Sequence, residues 1–132
     1  MSGYILVVDD QYGVRLLLHT VLEESSYNVK TVASGAECLS LAMSFNPPSL
    51  ILLDQRMPTM TGLQVLSMLG EDCQAKNIPV IMISAESDIE EVARSLGVKN
   101  FLSKPMDLNV LLKTVEDTLA RAKLKQSDVG RG

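Results

Sequence analysis

The chain has 132 residues, 46% of them apolar and 21% charged, with a formal net charge of −4. That length holds one domain with a hydrophobic core and is short for two. The acidic balance speaks against nucleic acid and anionic membranes, which need a basic patch, and the longest apolar runs, residues 5–8, 50–53 and 80–83, are far below the roughly 20 residues of a membrane span.

The chain does not open on a basic stretch, an apolar stretch and a small-residue cleavage site, so no secretory signal is expected and a cytoplasmic location is. Cys38 and Cys73 are the only cysteines. They form no CxxC pair and have no histidine near them in sequence, so two free, buried thiols are expected rather than a zinc site.

In chain order, strand-like and helix-like runs alternate. Residues 4–8 are apolar and end abruptly in Asp9 and Asp10. Val14, Leu17, Leu18, Val21 and Leu22 recur at helical spacing, with Arg15, His19 and Glu23 on the polar side. Residues 28–33 alternate and predict a second strand near an edge. Ser34 and Glu37 make a capping-box pattern for a helix reaching about Phe45, which Pro47 and Pro48 follow. Residues 50–53 are continuously apolar, as in a strand covered on both faces, and end in Asp54. A loop with Pro58 comes next. Thr61 and Gln64 open another helix. Residues 79–83 predict a fourth strand, ending at Ser84. Ser87 and Glu90 suggest a third capping box, and Gly97 a helix stop. Residues 100–103 predict a short fifth strand before Lys104 and Pro105. Asp107 caps a last helix with Leu108, Leu111, Leu112, Val115 and Leu119 facing inward. Five strand–helix units in succession predict a doubly wound α/β fold, a parallel sheet with helices on both faces. One domain is expected over residues 1–122, with a polar, structureless tail over 123–132.

The polar residues that interrupt this pattern stand at strand ends: Asp9 and Asp10 after the first strand, Asp54 after the third, Ser84 after the fourth and Lys104 after the fifth. In such sheets ligands bind outside the carboxyl ends of the strands, where the strand order reverses. In the flavodoxin-like order 2-1-3-4-5 that point lies between the first and third strands, the two that end in aspartates. Singly, Asp9 and Asp10 could cap a helix, Asp54 could open a turn, and Ser84 and Lys104 could be ordinary surface residues. Their joint placement favours a pocket of three carboxylates. Such a pocket calls for a hard divalent cation, Mg²⁺ above all with Mn²⁺ as a substitute. One carboxylate is then free to act as a nucleophile toward phosphorus, with Lys104 and the cation offsetting the negative charge.

Val8-Asp9-Asp10, Leu53-Asp54 followed by Met57-Pro58 and Gly62, Ser84-Ala85 and Lys104-Pro105 together resemble the receiver domain of two-component response regulators, a CheY-like fold, across about residues 4–120. The run from Val8 to Arg15 looks most similar to the single-domain branch that serves a bacterial sporulation phosphorelay. The resemblance implies Asp54 as phosphoacceptor. It implies Mg²⁺ on Asp10, Asp54 and the backbone carbonyl of Arg56, with Asp9 acting through a water. It implies Lys104 on the phosphoryl group, Ser84 as a hydroxyl that swings toward it, and Phe101 as the coupled aromatic switch, where many relatives carry tyrosine. It also implies a Lys104–Pro105 bond that is often cis.

Gln11, Arg56 and Glu86 should border the pocket, with Arg56 and Glu86 paired across its mouth. The implied donors are a histidine kinase or a histidine phosphotransfer protein, docking on the first helix. The implied readout is partner binding around the fourth helix, fifth strand and fifth helix, or onward transfer. No direct nucleic-acid contact is expected, and the state should be a monomer or a weak, phosphorylation-dependent dimer. No effector domain is expected after the last helix, the alternative being a receiver cut from a larger regulator or hybrid histidine kinase. His19 is expected to be solvated rather than a phosphodonor. A flavodoxin is disfavoured because Asp9-Asp10-Gln11-Tyr12 is no phosphate loop. A haloacid dehalogenase-type phosphatase is disfavoured because Arg56 stands where its second aspartate belongs, and a non-phosphorylated interaction domain because Asp10, Asp54 and Lys104 are all present.

Overall fold

The computed structural model describes residues 3–131. Five strands, β1 (Ile5–Val8), β2 (Val29–Val32), β3 (Leu50–Asp54), β4 (Val80–Ser84) and β5 (Asn100–Ser103), alternate with five helices, α1 (Tyr12–Glu24), α2 (Gly35–Ala42), α3 (Gly62–Gly70), α4 (Glu90–Ser95) and α5 (Leu108–Arg131). The strands form one parallel sheet in the order β2-β1-β3-β4-β5. This is the doubly wound, CheY-like flavodoxin fold expected from the alternation.

The strand order explains where the helices lie. A right-handed crossover puts its helix on a face set by the direction of the step along the sheet. α1 steps outward from β1 to β2, whereas α2, α3 and α4 step back the other way. Each strand therefore buries alternate residues on opposite faces. Ile5, Val7, Leu50, Leu52, Ile81 and Ile83 meet Leu18 and Leu22 of α1 and Leu111 and Val115 of α5. Leu6, Val8, Ile51, Leu53 and Met82 meet Cys38 and Leu39 of α2, Val65, Leu66 and Leu69 of α3 and Ala93 of α4. Each such aliphatic chain, fully buried, contributes about 1.5–3 kcal/mol of transfer free energy.

Local signals decide the helix ends. The Thr61–Gln64 capping box forms in full, and Ser34 accepts the Glu37 N–H at the start of α2. Asp107 Oδ1 accepts the N–H groups of Asn109 and Val110 at 2.9 and 3.3 Å. The Lys104–Pro105 peptide is cis.

Several expectations are corrected. α2 stops at Ala42, short of Phe45. α4 starts later than expected: Ser87–Ile89 is a 3₁₀ turn and the helix begins at Glu90, with Ile89 at its N-cap. Cys73 is exposed, because it sits in the turn after α3 rather than on a packed face, while Cys38 is buried. Burial pushes the Cys38 thiol up to about 12. The tail expected over 123–132 is helical to Arg131, and Gly132 lies outside the described residues. Polarity suggested disorder there, but Ala122, Lys123, Leu124 and Lys125 are strong helix formers, and neither proline nor glycine intervenes before Gly130.

Gly62 opens α3 against the end of β3. A Cβ there would come within 2.6 Å of the Asp54 carbonyl and 2.9 Å of Gln55 Cα, both backbone. Gly62→Ala is expected to destabilise the fold by about 1–3 kcal/mol in urea unfolding. By contrast Gly13, in α1 with nothing within 4 Å of its would-be Cβ, should gain about 0.5–1 kcal/mol on change to Ala.

Candidate functional site

The carboxyl ends of β1 and β3 are neighbours, with Val8 opposite Leu53 in register. The chain just beyond β1 and the last residue of β3 therefore bring Asp9, Asp10 and Asp54 to one place, and a ligand atom from each lies within 4.8 Å of the other two. Asp9 and Asp54 are each only 3% exposed, whereas Asp10 faces solvent.

Lys104 reaches this cluster from two strands away. β5 is separated from β3 by β4, roughly 10 Å at the usual strand spacing. A lysine stem spans that gap, and its Nζ lies 2.9 Å from Asp54 Oδ1 and 3.2 Å from Asp9 Oδ2. Burial pushes the Asp54 carboxyl above its ordinary range. The Lys104 hydrogen bond opposes that rise, and the charges of Asp9 and Asp10 add to it. Burial alone would lower Lys104, but hydrogen bonds and attraction from Asp54 and then Asp9 hold its ammonium above the ordinary value. Three carboxylates thus face one ammonium. An all-oxygen donor set with this surplus of negative charge fits a hard divalent cation.

Ser84 ends β4, and its Oγ accepts the Glu86 N–H at 2.8 Å. Arg56 Nη2 lies 3.7 Å from Glu86 Oε1, so the expected pair across the mouth is present, with Arg56 largely in solvent. Gln11 contributes its backbone, whose N–H donates to Asp9 Oδ1 at 2.9 Å; its side chain is exposed. Phe101 is not in the pocket. It lies half-buried against the apolar cluster on the α2–α3–α4 face of the sheet. His19 is half-exposed and 3.6 Å from Glu23, one turn along α1.

Two supporting residues escaped the sequence reading. Arg15 Nη1 donates to the Asp9 main-chain oxygen at 2.8 Å and lies over the Tyr12 ring. The only signal was a cation one helical turn into α1. Gln55 is 8% exposed. Its side-chain oxygen accepts the Leu63 N–H at 2.8 Å and its carbonyl accepts the Gly62 N–H at 2.9 Å. These bonds close the 55–61 loop, in which Thr59 sits at φ 72°, an uncommon conformation for a β-branched residue.

This arrangement offers a carboxylate nucleophile, a lysine beside it and an acidic pocket. The family model for the response regulator receiver domain matches residues 5–116. Sporulation initiation phosphotransferase F of Bacillus subtilis (strain 168) is 33% identical over 121 residues, 90% of this chain and 95% of that protein. The polar-differentiation response regulator DivK of Brucella ovis is 32% identical over 125 residues, 92% of this chain and all of that one. Among solved structures, the chemotaxis response regulator CheY4 of Vibrio cholerae matches with a TM-score of 0.81 and 28% identity over 89% of this chain and 99% of that one. NtrX from Brucella abortus matches at 0.87 and 29% identity over the whole of this chain but 30% of its own. The fold is thus shared by single-domain regulators and by the receiver portions of longer proteins, and no helix among the described residues is long and apolar enough to cross a membrane. The chain belongs to the response regulator receiver domain family.

Proposed function

We propose that Asp54 accepts a phosphoryl group from a phosphohistidine and that this change of charge is the chain's signal. The observation that carries this reading is the Lys104 ammonium held against both Asp54 and Asp9, which supports pairing a nucleophile with its charge neutraliser. Receiver domains bind Mg²⁺ at an acidic pocket and work with histidine kinases or phosphotransfer proteins. Here Asp10, Asp54 and the Arg56 carbonyl would hold the ion, with Asp9 acting through a water. The ion would offset charge on the phosphoryl oxygens where an anion attacks an anion.

The chain's own residues do the rest. An Asp54 oxygen bonds to phosphorus as the phosphorus–nitrogen bond of the donor breaks, leaving the electron pair on the imidazole nitrogen. Lys104 transfers a hydrogen bond from Asp54 to a phosphoryl oxygen. Ser84 gives up the Glu86 N–H and turns its hydroxyl toward the new group, and Phe101 follows. The readout is partner binding around α4, β5 and α5, or return of the phosphoryl group to another histidine. Relatives of both single-domain and longer build support a second reading, in which this receiver serves a larger regulator or hybrid kinase.

Incubation with acetyl phosphate and Mg²⁺, followed by intact mass, should give one phosphoryl adduct in the wild type and none in Asp54→Asn. An adduct that survives that change would sink the proposal. The crowding of carboxylates has its own consequence. Asp10 adds to the repulsion on Asp54, so Asp10→Asn should raise the melting temperature in chelator by roughly 2–4 °C. The same change should abolish the further rise that Mg²⁺ gives the wild type by mass action; equal Mg²⁺ responses in the two proteins would count against this ligand set. The Arg56–Glu86 pair hinders the approach of a hydrolytic water. Arg56→Ala combined with Glu86→Ala should shorten the phosphoryl lifetime about three- to tenfold, which corresponds to about 0.7–1.4 kcal/mol of barrier. Unchanged phosphate release would remove the pair from that role.

A further inference from the structure

The phosphoryl-switch reading leaves unexplained what holds Phe101 in place before phosphorylation. Phenylalanine has no hydroxyl to bond, so only its ring faces and edge can be gripped. One face is gripped. The guanidinium carbon of Arg94 lies 4.8 Å from the ring centroid, inside the range of a cation–π contact. Arg94 is itself steadied by Glu90, one turn back on α4, at 3.6 Å.

The position of α4 connects this stack to the phosphorylation pocket. Phe101 pairs in register with Met82 of β4. Ser84 lies two residues further along β4, on the same face of the sheet. Its hydroxyl holds the Glu86 N–H, the Ser87–Ile89 turn follows at once, and α4 begins at Glu90. α4 is short, six residues, and buries Ala93 beneath it, beside Ile89 of the preceding turn. A hydroxyl, a loop, a helix, a guanidinium and a ring therefore form one continuous line of contacts.

We propose that Arg94 is a positioning residue that latches Phe101: stacked on the ring, it holds the unphosphorylated arrangement, and movement of Ser84 toward a phosphoryl oxygen releases it through the 85–89 loop and α4. The latch rests on the switch reading above. A cation–π contact at an exposed site biases a two-state equilibrium by about two- to fivefold. The apparent affinity of a ligand that selects the other state changes by the same factor.

The chain has only two phenylalanines, Phe45 and Phe101, and Phe45 is fully exposed. Protein labelled with 4-fluorophenylalanine therefore gives two ¹⁹F resonances, with Phe45 as the internal reference. With Mg²⁺ alone, Arg94→Ala and Arg94→Gln should each move the Phe101 resonance part of the way to its position under beryllofluoride, a phosphoryl mimic. The half-saturating beryllofluoride concentration should fall about two- to fivefold. Glu90→Gln breaks the ion pair but leaves the stack, and should leave both readouts near wild type. The latch is overturned if both Arg94 variants match the wild type, or if Glu90→Gln reproduces their whole effect, which would place the cause in helix pairing. A wild-type Phe101 resonance that ignores beryllofluoride, in protein whose Asp54 still takes phosphoryl from acetyl phosphate, overturns the switch role of Phe101 and the latch with it. Loss of the Asp54 adduct itself overturns the broader phosphoacceptor reading instead.

Discussion

Two carboxylates that are almost wholly buried, Asp9 and Asp54, share one ammonium. Without Lys104 two negative groups would face each other at that depth with no opposite charge between them, and burying unpaired charge is costly. The ammonium comes from the end of β5, a strand that pairs with neither β1 nor β3. The long stem of lysine is therefore a geometric requirement, not a matter of charge alone. A guanidinium would deliver a rigid fork with a fixed plane, whereas an ammonium is a compact charge that can move from one oxygen to another. Arg15 ties down the Asp9 backbone, and Gln55 closes the loop beyond Asp54. The backbone that carries the two carboxylates is thus held from both sides.

The fold was legible because its central strands, β1 and β3, are short, apolar and covered on both faces. A charged residue at the end of such a run is conspicuous: Asp9 follows β1 directly and Asp54 ends β3. Parallel topology then brings residues far apart in sequence to one edge, which is why the pocket could be assembled from strand ends alone. Less legible were features made by contacts that no local pattern announces. Arg15 donates to a backbone carbonyl, and any cation in the first turn of α1 would have looked the same in sequence. Gln55 reads as an ordinary loop residue, yet it is buried because its amide takes the place of a missing backbone partner. The positive φ of Thr59 opposes the usual preference of a β-branched residue and is imposed by the closure of the loop. At the far end of α5, polar composition and helix propensity pointed in opposite directions, and propensity prevailed.

The sheet separates chemistry from its consequences. The acidic pocket lies at the carboxyl edge between β1 and β3, while Phe101 and Arg94 lie on the face covered by α4. Ser84 stands at the carboxyl edge of the sheet and, two residues beyond the Met82 that pairs with Phe101, on the same face as that ring. It ends β4, and its hydroxyl already accepts the Glu86 N–H of the loop that leads to α4. A hydroxyl that must leave one partner to reach another carries information that a free hydroxyl would not, because its departure leaves the Glu86 amide to find a new acceptor.

The length of α4 sharpens this point. A long helix anchored by several buried side chains would resist a small displacement of the loop before it. α4 has six residues, lacks a side-chain cap at its start, and buries only Ala93. It is therefore the helix least held by its own burial, and local stability follows buried contact. In such a helix a single exposed stack, Arg94 on Phe101, adds a direct link to β5. A change of charge at Asp54 need not deform the packed interior to be felt outside. It has only to bias the one surface element that the core holds loosely.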